Sequence, residues 1–195
     1  MSTGSELPDA VERHLPGETG VWMFIIGDMV IFSLLFSVFV FDRSQEVVLF
    51  VEQQRLLNQN FGVTNTLLLL TSSWFVALAL HAMRGQDSRT AGRYVASAFA
   101  CGAGFVVIKY FEWGEKIRAG LTIETNNFFM YYYLMTGIHL LHVFIGLGVL
   151  LFLWQMMRRA ATSEKDLSLF ESCACFWHLV DILWIALFAL LYLMR

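Results

Sequence analysis

Five long apolar stretches constrain the fold of this chain more than any other feature of its sequence. They cover residues 20–41, 62–83, 92–113, 127–155 and 170–194, and a helix needs about 20 apolar residues to cross the hydrocarbon of a bilayer. We therefore predict an all-α, polytopic membrane protein. A bundle of five transmembrane helices would occupy residues 20–195, and residues 1–19 would form an N-terminal cytoplasmic tail. The composition agrees, since 57% of the residues are hydrophobic and only 15% are charged.

The distribution of basic residues predicts the orientation of the bundle. Five spans place the two termini on opposite sides, and the cytoplasmic side normally carries more Lys and Arg. The N-terminal side would hold Arg13, Arg84, Arg89, Arg158, Arg159 and Lys165, and the other side Arg43, Arg55, Lys116, Arg118 and Arg195. This small excess favours a cytoplasmic N-terminus and a periplasmic C-terminus. The first 18 residues contain no apolar run, which excludes a cleavable signal peptide there, and the scattered basic residues exclude nucleic acid as a partner.

Ionisable side chains inside the spans are the candidate functional residues. In the last span, offsets of seven and three residues bring Glu171, His178 and Asp181 to nearly the same helical face. A central ionisable group costs about 2.5 to 3.5 kcal/mol on insertion scales, so such groups normally face other protein or a polar cavity. The last helix must therefore be packed against other helices.

Two further spans contribute to the same depth of the predicted bundle. Asp28 lies about 15 Å from the inner end of the first span, and His139 and His142 share one face of the fourth. When depth is measured from the ends of the spans at the rise of an α-helix, His142, Asp28, His178 and Asp181 lie within about one helical turn of the same depth. We predict a buried polar network, whose members are Asp28, His139, His142, Glu171, His178 and Asp181.

This cluster leaves three interpretations open. The first is an interhelical hydrogen-bond network that ligates nothing. The second is an intramembrane metalloenzyme, in which histidines and carboxylates of three helices bind iron, manganese or zinc. The third is a proton or small-solute carrier, because intramembrane carboxylates often mark such pathways. The sequence lacks the paired Glu-x-x-His pattern of di-iron bundles, so we expect no metal and no catalytic residue.

Four smaller patterns complete the prediction. Lys109 and Glu112 are three residues apart and could form an ion pair near the outer interface. Residues 42–60 form either an amphipathic helix or a solvated connection. The three cysteines lie inside spans, where we interpret them as small apolar residues. Aromatic residues near the predicted span ends are consistent with interfacial belts: Trp22, Trp113, Trp154 and Tyr192.

Several motifs, taken in order, resemble subunit III of the haem-copper oxidases. They are PGETGVW at 16–22, Asn65-Thr66 with Ser72-Ser73, FEW at 111–113, GIHLLHVFIG at 137–146 and FWHLVDILW at 176–184. The chain resembles the five-span form, which lacks the first two helices of the seven-span form. The runs VTNTLLLLTSSWFVA at 63–77 and FFMYYY at 128–133 look most like a nitric oxide reductase accessory protein of denitrifying bacteria.

The resemblance implies a subunit without redox centres in a bacterial inner membrane. It would pack beside the catalytic subunit of an oxidase or nitric oxide reductase, and support its assembly, its stability or its proton uptake. Haem, and copper or non-haem iron, would belong to that catalytic subunit, and lipids would surround both. Asp28 falls where many relatives have a buried glutamate, and the other polar residues match positions that look structural in the family.

Overall fold

The structure is a computed structural model that describes residues 19–158 and 164–194, all numbered as in the sequence. Six α-helices follow one another, and a short π-helical turn extends the last one. Their bounds are α1 Thr19–Gln45, α2 Val47–Arg55, α3 Gln59–Arg84, α4 Ser88–Arg118, α5 Asn127–Met157, α6 Glu164–Phe188 and the π-helical segment Ala189–Leu193. Five of these helices are long and apolar enough to span a membrane. The predicted all-α, five-span architecture is confirmed, and the predicted tail lies almost entirely outside the described residues.

Helices α3 and α4 begin before their apolar stretches, and polar side chains cap their first turns. Asp87 accepts a hydrogen bond from the backbone N–H of Thr90, so α4 begins four residues before its apolar run. Asn126 caps α5 in the same way through Phe129 N–H. An N-terminal cap satisfies a backbone donor that the helix itself leaves unpaired. Apolar composition alone therefore predicts the part of a helix inside hydrocarbon rather than its full length.

The last helix lies at the centre of the bundle. It packs against α1, α3 and α5, while α4 packs against α3 and α5. Within its most apolar window, the last span has 61% of its residues buried, whereas the first span has 22%. The prediction that the ionisable residues of the last helix require neighbouring helices is confirmed. Helix α1 lies at the periphery, where it contacts α6 and α2.

Glycines allow the indole of Trp177 to enter the space between α4 and α5. A Cβ atom added at Gly146 would lie 2.6 Å from the Trp177 ring, and one at Gly102 would lie 2.9 Å from it. Trp177 is fully buried. Small residues let helices approach closely where apolar side chains gain nothing by leaving lipid, and here they accommodate the largest side chain of the core.

The connection between α1 and α3 contains a helix, which resolves the two alternatives left by the sequence. Helix α2 buries Phe50 and Gln54, so it packs on the bundle instead of forming a solvated loop. Gln54 Nε2 donates to the carbonyls of Leu190 at 2.9 Å and Leu191 at 3.3 Å. Gln59 at the start of α3 donates to the next carbonyl, that of Tyr192.

Candidate functional site

The most deeply buried polar cluster joins α4, α5 and the π-helical segment. Lys109 and Glu112 are 1% and 0% exposed, and Lys109 Nζ lies 2.9 Å from Glu112 Oε2. The Tyr132 hydroxyl donates to Glu112 Oε1 at 2.9 Å, and the Tyr192 hydroxyl donates to the same oxygen. Lys109 Nζ also donates to Tyr192 Oη at 3.1 Å. Both charges are thus hydrogen-bonded as well as paired, which burial in a low-dielectric interior requires.

Aromatic rings cover the ammonium group of this cluster. Lys109 Nζ lies 4.8 Å from the ring centroid of Trp184 and 5.2 Å from that of Tyr132. Both distances fall within the range of cation–π attraction, which strengthens when the cation is desolvated. The rings therefore exclude water from the ion pair and attract its positive member.

The predicted ion pair forms, but its surroundings differ from the prediction. Lys109 and Glu112 are buried among helices, because the long side chains of α4 point between α5 and the C-terminal segment. Their position near the outer interface of the membrane stays a prediction. Tyr192, which the sequence placed in an interfacial belt, is buried beside them. Sequence reasoning missed Tyr132 and Tyr192 as members, since their partners lie 20 and 80 residues away along the chain.

A second polar contact connects α1 to α5. His142 Nε2 lies 3.0 Å from Asp28 Oδ2, and both side chains are buried. His142 Nδ1 is 2.8 Å from the carbonyl oxygen of Ile138, and because a carbonyl can only accept, Nδ1 carries a proton. The rings of Phe24 and Phe32 lie beside the imidazole. Asp28 is thus held inside the bundle by the histidine that sequence spacing placed at its depth.

A third group joins α3 to α6. His178 Nδ1 lies 2.5 Å from Ser73 Oγ, and the buried side chain of Asp181 follows three residues later on the same helix. Ser72 also bonds across a helix interface, to the carbonyl oxygen of Ala98 at 2.8 Å. Ser72 and Ser73 of α3 thus form hydrogen bonds to α4 and α6.

The two remaining members of the predicted network lie elsewhere. Glu171 forms an ion pair with Arg84 at 2.8 Å near the ends of α3 and α6, because the seven residues that separate it from His178 correspond to about 10 Å of helix. His139 has no hydrogen-bond partner for either ring nitrogen among the described residues. Its ring packs against Phe105 and Trp184 instead. Among the described residues, the six side chains of the predicted network thus lie in separate groups, and His139 forms no hydrogen bond.

The donor groups do not converge on one point. Among residues 19–158 and 164–194, no three His, Cys, Asp or Glu side chains lie close enough together to hold a metal ion. The three cysteines are unbonded to one another and half-buried.

Comparisons with known proteins agree with the motifs and the fold. The sequence pattern of the family described as cytochrome c oxidase subunit III matches residues 9–195. A quinol oxidase subunit 3 of Bacillus subtilis is 30% identical over 90% of this chain and 85% of its own length. A cytochrome c oxidase subunit 3 of Thermostichus vulcanus is 30% identical over 90% and 86% of the two chains.

A fused relative shows the same similarity within a longer protein. The heme-copper oxidase subunit I+III of Aeropyrum pernix is 28% identical over 96% of this chain, which spans only 24% of that protein's length. The resemblance drawn from the five motifs is confirmed, and the match extends over nearly the whole sequence. This chain belongs to the cytochrome c oxidase subunit III family.

Proposed function

We propose that this chain is a non-catalytic subunit of a haem-copper oxidase in a bacterial inner membrane. The observation that carries the proposal is the family match over residues 9–195, combined with five helices able to span a bilayer. Haem and copper would reside in the catalytic subunit, which this chain would contact through apolar helix surfaces. The basic residues at the α3–α4 connection support a cytoplasmic N-terminus and a periplasmic C-terminus.

The buried ionisable residues support a structural role. Lys109 pairs with Glu112 within α4, and the hydroxyls of Tyr132 and Tyr192 connect that pair to α5 and the C-terminal segment. The contact of His142 with Asp28 lies between α5 and α1. A catalytic acid or base must reach a substrate, whereas these groups are surrounded by aromatic side chains. We infer that the chain supports assembly and stability of its partner through a rigid helix bundle. A contribution to proton uptake would depend on Asp28, the deepest carboxylate of α1.

The proposal has two versions, which differ in the substrate that the partner reduces. Relatives named cytochrome c oxidase subunit 3 and quinol oxidase subunit 3 favour a partner that reduces oxygen. The runs at 63–77 and 128–133 favour an accessory role beside a nitric oxide reductase in denitrification, whose partner would contain haem and non-haem iron. The five-helix bundle suits either partner.

The test is to extract the protein from its native membrane in mild detergent and identify what purifies with it. The affinity tag belongs at the N-terminus, because side chains of Arg43, Gln54 and Gln59 bind the carbonyl groups of the C-terminal segment. A visible spectrum and metal analysis of the eluate identify haem and copper. Oxygen and nitric oxide consumption are then measured with reduced cytochrome c and with quinol as donors.

Copurified haem with oxygen consumption is the expected result. Consumption of nitric oxide alone would replace the oxidase with a nitric oxide reductase. A folded chain that carries its own stoichiometric metal would refute the non-catalytic role, and proton or solute flux through liposomes containing this chain alone would establish the carrier alternative.

A further inference from the structure

A basic cavity of about 550 Å³ lies where the start of α4 meets the end of α5. Arg89 and Arg93 contribute to its wall from α4, and Arg158 contributes from α5. The two arginines of α4 are four residues apart, so they share one helical face. The guanidinium of Arg158 lies 4.8 Å from the ring centroid of Trp154, which also lines the cavity. Three cationic side chains are thus gathered at one end of the bundle.

The positive charge of this cavity is not balanced by the part of the chain that the structure describes. Within residues 19–158 and 164–194, no carboxylate forms an ion pair with Arg93 or Arg158. Asp87 interacts with Arg89, but its carboxylate also accepts the backbone N–H of Thr90 at the cap of α4. Like charges four residues apart on a helix repel each other. The cavity therefore favours an acidic partner.

The segment that precedes α1 has the complementary charge. Residues 6–18 contain four carboxylates, and Arg13 is their only Lys or Arg. The carboxylates belong to Glu6, Asp9, Glu12 and Glu18. This segment lies outside the described residues, so its charge is known from the sequence alone.

The direction of α1 leads this segment toward the cavity. Asp28 contacts His142, whereas Gly20 lines a groove together with Val149. A step toward the start of α1 is thus a step toward the end of α5, so the two helices are antiparallel. The residues before α1 therefore continue along α5 toward its end, where the arginines lie.

The segment is long enough to reach the arginines. Because Gly20 and Val149 line the same groove, α1 begins at about the level of Val149. Arg158 follows Val149 by nine residues, which correspond to about 13 Å of helix. An extended chain covers about 3.3 Å per residue, so the eight residues from Glu12 to Gly20 can span about 26 Å. The carboxylate of Glu12 is therefore within reach of the cavity.

We propose that the acidic segment 6–18 of this chain docks on the α4–α5 cavity, with Asp9 and Glu12 on its arginines. A guanidinium group forms paired hydrogen bonds that match the two oxygens of a carboxylate. The docked segment would connect the start of α1 to α4 and α5 at one end of the bundle. The contact lies within one chain, so the proposal goes beyond the proposed function and is independent of the catalytic partner.

The first test is disulfide cross-linking of the full chain in mild detergent. In a variant whose three native cysteines are replaced by alanine, Ala10→Cys introduces a thiol between Asp9 and Glu12, and Ala96→Cys introduces one in the wall of the cavity. We expect an intramolecular disulfide after mild oxidation, identified by mass spectrometry of the linked peptides. Ala119→Cys is the matched partner for Ala10→Cys, because Ala119 is exposed at the opposite end of α4. This pair should not cross-link.

The dependence on charge separates docking from chance proximity. Each of Arg93→Gln and Arg158→Gln should lower the rate of cross-linking about two- to fivefold, the range expected for one exposed ion pair. Arg118→Gln is the matched control, since it removes an exposed arginine from the other end of α4. The rate should then be unchanged. All three arginines are exposed, so circular dichroism should show folded protein in each case.

Proteolysis of the chain with its native cysteines gives a second measurement. Trypsin cleaves after Arg13, which lies within the proposed docked segment. Arg93→Gln and Arg158→Gln should each accelerate this cleavage about two- to fivefold, and Arg118→Gln should not. This measurement does not depend on folding of the cysteine-free variant.

Three outcomes would overturn the proposal. The first is equal cross-linking of position 10 to positions 96 and 119, or no cross-link to position 96. The second is a rate of cross-linking and of cleavage that neither arginine change affects. The third is a disulfide-linked dimer in place of the intramolecular product, which would assign the cavity to the segment of a second copy of this chain.

Discussion

The buried ion pair of α4 gives the most decisive test of the fold. In the variant Glu112→Gln, the side chain keeps its size and an oxygen that can accept from Tyr132 and Tyr192, but it loses its charge. The ammonium group of Lys109 then remains in an interior position without a counter-charge. The change therefore isolates the electrostatic part of the cluster from its packing.

The expected loss follows from the burial of both partners. Removing one member of a buried, hydrogen-bonded ion pair costs about 3 to 5 kcal/mol, because the remaining charge is uncompensated. Removing both charges costs less, since no isolated ion is left behind. We expect Lys109→Met combined with Glu112→Gln to be more stable than Glu112→Gln alone by about 2 kcal/mol or more, a coupling typical of residues in direct contact.

The measurement is the free energy of unfolding in mixed micelles titrated with a denaturing detergent, for the two single variants and the double variant. Glu115→Gln is the matched control. Its carboxylate also pairs with a lysine of α4, at 3.0 Å from Lys116, but its side chain is 53% exposed. An exposed pair contributes about 1 kcal/mol or less, so the control should unfold close to the unmodified chain. If Glu112→Gln unfolds like Glu115→Gln, or the double variant is the least stable of the set, the cluster does not hold the fold together.

Three further changes test other parts of the structure. Gly146→Ala should lower the free energy of unfolding by about 1 to 3 kcal/mol, because its Cβ would lie 2.6 Å from the Trp177 ring. Gly148→Ala should be tolerated, because a Cβ there would meet no atom within 4 Å. The same unfolding titration measures both variants. Gln54→Leu should destabilise the C-terminal segment by about 1 to 3 kcal/mol, detected as faster amide hydrogen exchange there, since it removes the amide donor to two backbone carbonyls. A side-chain hydrogen bond at the cap of α4 lowers the pKa of Asp87 below its usual 3.8, so this carboxylate stabilises the fold above that pH and the effect is lost as pH falls below it. Asp87→Asn, which can still cap the helix, should abolish this part of the acid dependence of thermal unfolding, and an unchanged pH profile would contradict the assignment.

The spans and their polar positions could be predicted because each depends on residues close together in sequence. An apolar run of about 20 residues specifies a membrane helix, and a seven-and-three spacing specifies a helical face. Glu171 and His178 both contact side chains of α3, namely Arg84 and Ser73. The depth argument also placed Asp28 beside His142. Both predictions use only the pitch and rise of one helix at a time.

The partners of the remaining polar residues could not be predicted, because they depend on how helices rotate and cross. Glu171 and His139 are at positions on their own helices that suit a shared polar network. However, Glu171 pairs with Arg84, and His139 packs between aromatic rings. Likewise, the hydrogen bonds from Gln54 to the carbonyls of Leu190 and Leu191 join residues that are separated by 136 and 137 positions in the sequence. No local pattern encodes such a distance.

The sequence by itself thus determined the number of membrane-spanning helices, their apolar character and, through its motifs, the family. These properties follow from hydrophobicity and helical periodicity, which act within a single segment. The tertiary structure decided which charges meet. It placed Lys109 and Glu112 among Tyr132, Tyr192 and Trp184. Side-chain contacts between helices depend on the rotation of each helix about its axis, and that rotation is set by packing across the whole bundle.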